Sequence, residues 1–210
     1  MTRCLDIHTH HAPPRPEAVV SIEGLETLLM QSQFYSAGIH PWNTTTEISG
    51  QTWDQLERIA ESAQVVAIGE CGIDKIKGGP LFRQMNVLKR QIELSEQLEK
   101  PLIIHDVKAH DIITGLRRDL KPRQKWVVHG LRAKPTVMRM LTDAGIYVSY
   151  GEYFNEESVR LTPRGMLLAE TDESLLPIEE IIARISKVAG EDLTETIRQN
   201  TEEFLGILPG

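Results

Sequence analysis

The 210-residue chain has only two cysteines, Cys4 and Cys71, and no C-x-x-C spacing. That excludes a disulfide framework, and both are read as reduced thiols of a cytoplasmic protein. Long hydrophobic runs are also missing. No apolar stretch approaches the roughly 18 to 20 residues that a membrane span needs. The start carries no signal-peptide core, because Cys4, Leu5 and Ile7 are interleaved with Asp6 and His8. Positive charge is in deficit: 23 Lys and Arg stand against 30 Asp and Glu, a formal net charge of −7. Such a field does not attract polyanions, which counts against a broad nucleic-acid-binding surface. A small site where bound divalent ions reverse the sign locally remains compatible with it. Neither a membrane nor an obligate protein partner is expected.

What is present fits one globular domain over residues 1–210, long enough for a large core and too short for two comfortable ones. Short apolar runs bounded by turn residues predict eight strands: Arg3–Ile7, Ala18–Ile22, Phe34–Ile39, Val65–Gly69, Pro101–Ile104, Lys125–Val128, Gly145–Ser149 and Gly165–Ala169. Helical periods lie between most of them. Thr52 is placed to cap a helix with Gln55 at the capping-box position, and Trp53, Leu56, Ile59, Ala60 and Ala63 form its apolar stripe. A longer helix runs from Leu81 to Glu99 and is stopped by Pro101. Another starts at Pro135 and ends before Gly145, and two more follow Pro177 and Asp192.

Eight strands alternating with helices point to a parallel α/β fold, and eight is the number that closes a TIM-type (β/α)8 barrel. An open doubly wound sheet is the alternative. Between His10 and Ala18 only HAPPRPE remains, too short for a crossover helix, so the barrel is expected to lack its first one.

The opening MTRCLDIHTHH puts His8 and His10 two residues apart, where strand parity gives them one face together with Asp6. Other reactive residues follow the strands. His40 ends FYSAGIH, Glu70 ends VVAIGE, His105 ends PLIIH, His129 ends KWVVH, and Asp172 follows GMLLAET. Six of eight strands therefore finish in a metal-ligand or acid/base type at the edge where (β/α)8 barrels build active sites. Two histidines with a carboxylate make one cation site, and a second pair sharing a carboxylate makes another. Imidazole and carboxylate without thiolate suit zinc, manganese, cobalt or magnesium. Asp172 is placed to take a proton from water and pass it on, while Asp6 and Glu170 are read either as orienting ligands or as making plain structural hydrogen bonds.

DIHTHH, GIHPW, AIGECGID, PLIIH, KWVVHG and ETDES, in that order, resemble the successive motifs of the TatD family of metal-dependent hydrolases, within the amidohydrolase superfamily. The resemblance runs from Asp6 to the closing TEEFLGI. It implies a TIM-type barrel holding one or two divalent cations: His8, His10 and Asp172 on one, His105 and His129 on the other, with Glu70 between. It also implies deoxyribonuclease activity at DNA strand ends, with Asp172, Glu70 and His40 as the catalytic residues. Departures bear on substrate. Val107 stands where the family has an arginine, Ser174 where it has a proline, and HGL replaces HCF at His129; the loop beyond Asp172 is shortened. Phosphate contacts thin out while metal residues survive. Lys108, His110 and Arg132 are candidates to compensate, though each also reads as a solvated loop residue. Trp42 is read as packing the barrel rim rather than stacking on a base, and His11 as no ligand. The competing functions are a hydrolase of a small-molecule ester, lactone, amide or phosphate, and a non-catalytic metal-stabilised binding module.

Overall fold

Parallel pairing runs all the way round the computed structural model, which describes residues 5–22 and 24–207. Strands β1 (Asp6–Thr9), β2 (Ala18–Ser21), β3 (Phe34–Ala37), β4 (Val65–Asp74), β5 (Leu102–Val107), β6 (Trp126–Val128), β7 (Ile146–Tyr150) and β8 (Leu167–Ala169) pair in sequence order. The closing pair, β1 with β8, sets Asp6 beside Ala169. The sheet is the closed eight-stranded barrel, not the open alternative. Arg3 and Cys4 lie outside the described residues.

Seven α-helices occur among the described residues: α1 (Gly50–Ala60), α2 (Leu81–Leu98), α3 (His110–Leu120), α4 (Pro135–Asp143), α5 (Glu156–Leu161), α6 (Ile178–Ala189) and α7 (Thr194–Leu205). The cap of α1 corrects the sequence reading: Ser49, not Thr52, is the N-cap, and its hydroxyl accepts from the Thr52 N–H. Ala63 falls beyond the helix end. Glu99 closes α2 in the left-handed conformation, and Pro101 follows. The expected first crossover has no helix, and neither does the second among the described residues. There Leu28 is 91% exposed, so its apolar side chain finds no barrel surface to cover.

Two apolar layers hold the barrel. Ile7, Val19, Ala67, Ile103, Val127 and Leu168 fill the lower interior, and Phe204 of α7 joins them. A second layer, including Trp126, Leu56, Leu88 and Ile181, lies between strands and helices. The upper interior is polar: His8, Ser36, Ser149 and Glu170 are fully buried.

Side chains reach that upper interior because two strands carry irregularities. On β1, three steps from Asp6 to Thr9 oppose two on β2, from Ala18 to Val20. On β4, three steps from Ile68 to Cys71 oppose two on β5. An extra residue reverses the alternation beyond it. Thus Ala67 lies inside the barrel, Cys71 packs in the outer layer, and Glu70 turns inward between them. Glycine permits this. Gly69 and Gly72 have φ of 151° and 150°, and a Cβ on Gly72 would lie 2.0 Å from the His105 carbonyl oxygen. The strand consequently continues to Asp74, five residues past the expected end.

Candidate metal centre

Glu70 is the hub of the barrel mouth. Its Oε1 lies 2.7 Å from His105 Nδ1, 2.8 Å from His129 Nε2 and 3.1 Å from His40 Nε2. Its Oε2 lies 3.2 Å from His10 Nε2 and 3.5 Å from His8 Nε2. Asp172 flanks the His8–His10 pair, with Oδ1 3.9 and 3.7 Å from their Nε2 atoms. The strands continue pairing to hold it there: Asp172 N–H donates to the His8 carbonyl, and His10 N–H donates to the Asp172 carbonyl. All seven predicted site positions, counting Glu70 and Asp172 once each, therefore converge. Four donor triads lie within 4.8 Å: His8–His10–Asp172, His8–Glu70–His129, His40–Glu70–His105 and His129–Glu170–Asp172.

Hydrogen bonds behind the cluster decide which ring nitrogen faces it. His105 Nε2 faces Asp74 Oδ2 at 3.4 Å, leaving Nδ1 toward Glu70. His129 Nδ1 faces Glu170 Oε1 at 3.3 Å, leaving Nε2 toward Glu70. A carboxylate on the outer nitrogen fixes the tautomer that offers a lone pair to a cation. His40 is set the other way. Its Nδ1 accepts from the Trp42 N–H, so Nε2 carries the proton and donates to Glu70. That makes His40 a donor toward the mouth rather than a lone-pair ligand.

The charges of the cluster suit a divalent cation. Burial, then His129, pushes His8 below the ordinary histidine range. It is neutral, its Nε2 lies 3.2 Å from that of His10, and its buried Nδ1 has no hydrogen-bond partner. Burial opposes ionisation of Glu70, yet His129, His10 and His105 hold its carboxyl well below the usual range. Burial likewise opposes charge on His129, but Glu70 and Glu170 raise it well above normal. Protons on imidazoles are standing where divalent charge would serve. Four imidazoles, His40 set aside, and three carboxylates, with no thiolate, suit a hard or borderline divalent ion.

Other candidates are placed elsewhere. The Asp6 carboxyl does not join the His8 and His10 rings: it accepts from Thr171 N and Oγ1 at 3.0 and 2.6 Å and from the His8 backbone N–H at 3.2 Å, and burial raises it to about 7. The β1 irregularity separates it from the two histidines it was expected to join. His11 bonds the Ser174 carbonyl. His110 pairs with Asp106 at 2.5 Å, and Lys108 is exposed. Arg132 lies over the Tyr153 ring in an adjoining cavity of about 460 Å³ that also reaches Asp172. Trp42 packs edge-on against His40 and His105 at the lip of the mouth cavity, about 440 Å³. Asp74, which bonds the Trp42 indole and faces His105, is the residue of this cluster that sequence reading did not single out. It sits inside the quoted AIGECGID, but beyond the strand's expected end.

Comparisons with known proteins bear on the sequence and on the fold. A family model described as TatD related DNase matches residues 17–206. The chain is 27% identical over 191 residues to the 3′-5′ ssDNA/RNA exonuclease TatD of Erwinia tasmaniensis, covering 78% of this chain and 73% of that protein. It is 28% identical over 159 residues to the metal-dependent hydrolase YjjV of Escherichia coli K12, covering 70% and 61% respectively. The crystal structure of YjjV, a TatD homologue, superposes with a TM-score of 0.82 at 20% identity over 99% of each chain.

Proposed function

The chain belongs to the TatD-related DNase family, and on that footing we propose a divalent-metal-dependent phosphodiesterase that removes nucleotides from the ends of single-stranded DNA. The observation that carries this is the convergence of five imidazoles on one buried carboxylate, with Asp172 beside it at the open mouth. The exonuclease named among its relatives favours a strand end over a small ester.

His8, His10, Glu70, His105, His129 and Asp172 are the residues we assign to one or two divalent ions of zinc, manganese, magnesium or cobalt type. A divalent ion held there acidifies water and offsets charge on phosphoryl oxygens. The Asp172 side chain is 28% exposed, and burial, then Glu170, raises its pKa. A carboxyl raised toward neutrality is suited to accept a proton from attacking water and return it to the leaving oxygen. His40 presents Nε2–H at the mouth, where it can donate to a phosphoryl oxygen. Asp74 and Glu170 hold the His105 and His129 rings in orientation. No described helix is long and apolar enough to cross a membrane. The scarcity of cysteine supports a cytoplasmic setting.

The test is to incubate the protein with single-stranded DNA and manganese or magnesium beside Asp172→Asn. Wild type should shorten the strand from its end and stop on chelation. The variant should be slower by about 10²- to 10⁴-fold, the range of a lost general acid/base. Equal activity, or equal inactivity, in both samples ends the reading.

A further inference from the structure

The mouth cavity has a built lip on its β4 side. Asp74 is nearly fully buried and ties three elements together. Its Oδ2 accepts from the Trp42 indole N–H at 2.7 Å and faces His105 Nε2. Its Oδ1 accepts from the backbone N–H groups of Ile76 and Lys77 at 2.7 and 2.9 Å. One carboxylate thus fixes the indole, a cluster histidine and the turn that carries Lys77. The Lys77 ammonium lies 3.9 Å from the Trp42 ring centroid, within cation–π range. The Trp42 ring, 44% exposed, lines the same cavity as His10, His40, Glu70 and Asp172.

Three other cations near this rim are engaged, while Lys108 is exposed beyond β5. Lys75 pairs with Asp111 at 2.9 Å, Arg83 donates to the Thr44 and Thr45 carbonyls, and Arg132 lies over Tyr153 in the adjoining cavity. Lys77 is held by a ring face, a contact that leaves its charge uncancelled and its donors open to an oxyanion. Lys77 also covers the indole face it sits on, so that face is closed to a stacking base.

We propose that the Asp74–Trp42–Lys77 lip is a phosphate-binding subsite that takes a backbone phosphodiester of the strand next to the one being cleaved. The inference rests on the nuclease reading above and names how the strand is held there. It supplies a cation beside the mouth cavity, on the Trp42 ring that lines it, although Val107 carries none. Trp42 acts by positioning Lys77, and Asp74 by positioning both.

A single phosphate contact has a signature in salt. Log affinity for a single strand falls with log salt with a slope of about −0.7 per phosphate neutralised. The probe is a fluorescein-labelled oligothymidylate with phosphorothioate linkages, read by anisotropy in manganese between about 50 and 200 mM KCl. Lys77→Gln is expected to weaken binding on the order of 2- to 5-fold, the range of an exposed ion pair, and to flatten the slope by about 0.7. Lys77→Arg restores the slope. Trp42→Phe, which loses the indole N–H to Asp74, lies between wild type and Lys77→Gln. Lys89→Gln, on the outer face of α2, behaves as wild type. Should Lys77→Gln keep the wild-type slope, the lip is not a phosphate subsite. Should wild type cleave bis-para-nitrophenyl phosphate yet show no salt-dependent binding of the strand, the nucleic-acid reading falls, and the lip with it.

Discussion

At the residue scale, the shared carboxylate sets the behaviour of the centre. Glu70 meets five histidines, so Glu70→Gln removes the charge that both halves of the cluster use. Metal content measured by elemental analysis after dialysis should fall below half of wild type, and affinity should drop by at least the 10- to 100-fold typical of losing a supporting group. Retention of full metal in the variant contradicts the assignment. Protons provide a second prediction. In the metal-free protein the hydrogen bond to Glu70 shifts His10 upward, and Glu70 and Glu170, against its burial, hold His129 well above the ordinary histidine range, so both rings are biased toward the protonated form. A cation must expel those protons, so affinity rises with pH until those raised values are passed and then levels off. His8 is lowered and releases none. Calorimetric titration with zinc at pH 7 in two buffers of different ionisation enthalpy should give different apparent heats; identical heats contradict it. The ligand types were legible in the sequence because each one terminates an apolar run. The Asp74–His105 contact was not, and Glu170, read as a residue that orients a ligand, had no partner assigned, since these contacts join positions 31 and 41 residues apart that only the closed barrel brings together.

At the element scale, the strands, α2, α4, α6 and α7 follow from apolar periods, prolines and turn residues, and these were legible. The irregularities in β1 and β4 were not. A glycine inside an apolar run reads as the end of a strand, whereas in β4 Gly69 and Gly72 let the strand bulge and continue. Helix α5 is six residues long, too short to display a helical period. The bulge supports a sharp prediction. In Gly72→Ala the new Cβ meets the His105 carbonyl, which is backbone and cannot swing aside, and the φ of 150° adds strain. The expected cost is about 3 kcal/mol in chemical denaturation, at the upper end for single substitutions, with reduced metal binding because His105 is displaced. Gly165→Ala, where an added Cβ meets nothing within 4 Å, should stay within about 0.5 kcal/mol. Equal stability of the two variants shows that the bulge has room to relax.

At the scale of the whole molecule, the barrel encloses acidic groups at its mouth while its surface already carries an excess of negative charge. Glu70 and Glu170 are buried and ionised, and without a cation their compensation comes mainly from the proton on His129. Because the folded pKa of His129 is raised above its unfolded value, this compensation is complete below about pH 6.5 and is lost as pH climbs through the folded value. Asp6 runs in the same direction. Burial lifts it to about 7, so its contribution is complete below about pH 4, is lost as pH rises from there to about 7, and is flat above. The metal-free protein should therefore lose stability from neutral toward alkaline pH. A bound divalent ion replaces the His129 proton, and at a thousandfold excess over its Kd it adds about 4 kcal/mol through linkage. For a chain of this length that is a rise in Tm of about 10 °C. Melting with manganese and after chelation, at pH 6, 7 and 8 in turn, should show a gap that widens at each step, both because ligands deprotonate and because the metal-free state weakens. A gap that is constant or narrows with pH means that metal and proton do not compete for the same buried carboxylates, and the centre described here is not where the ion binds.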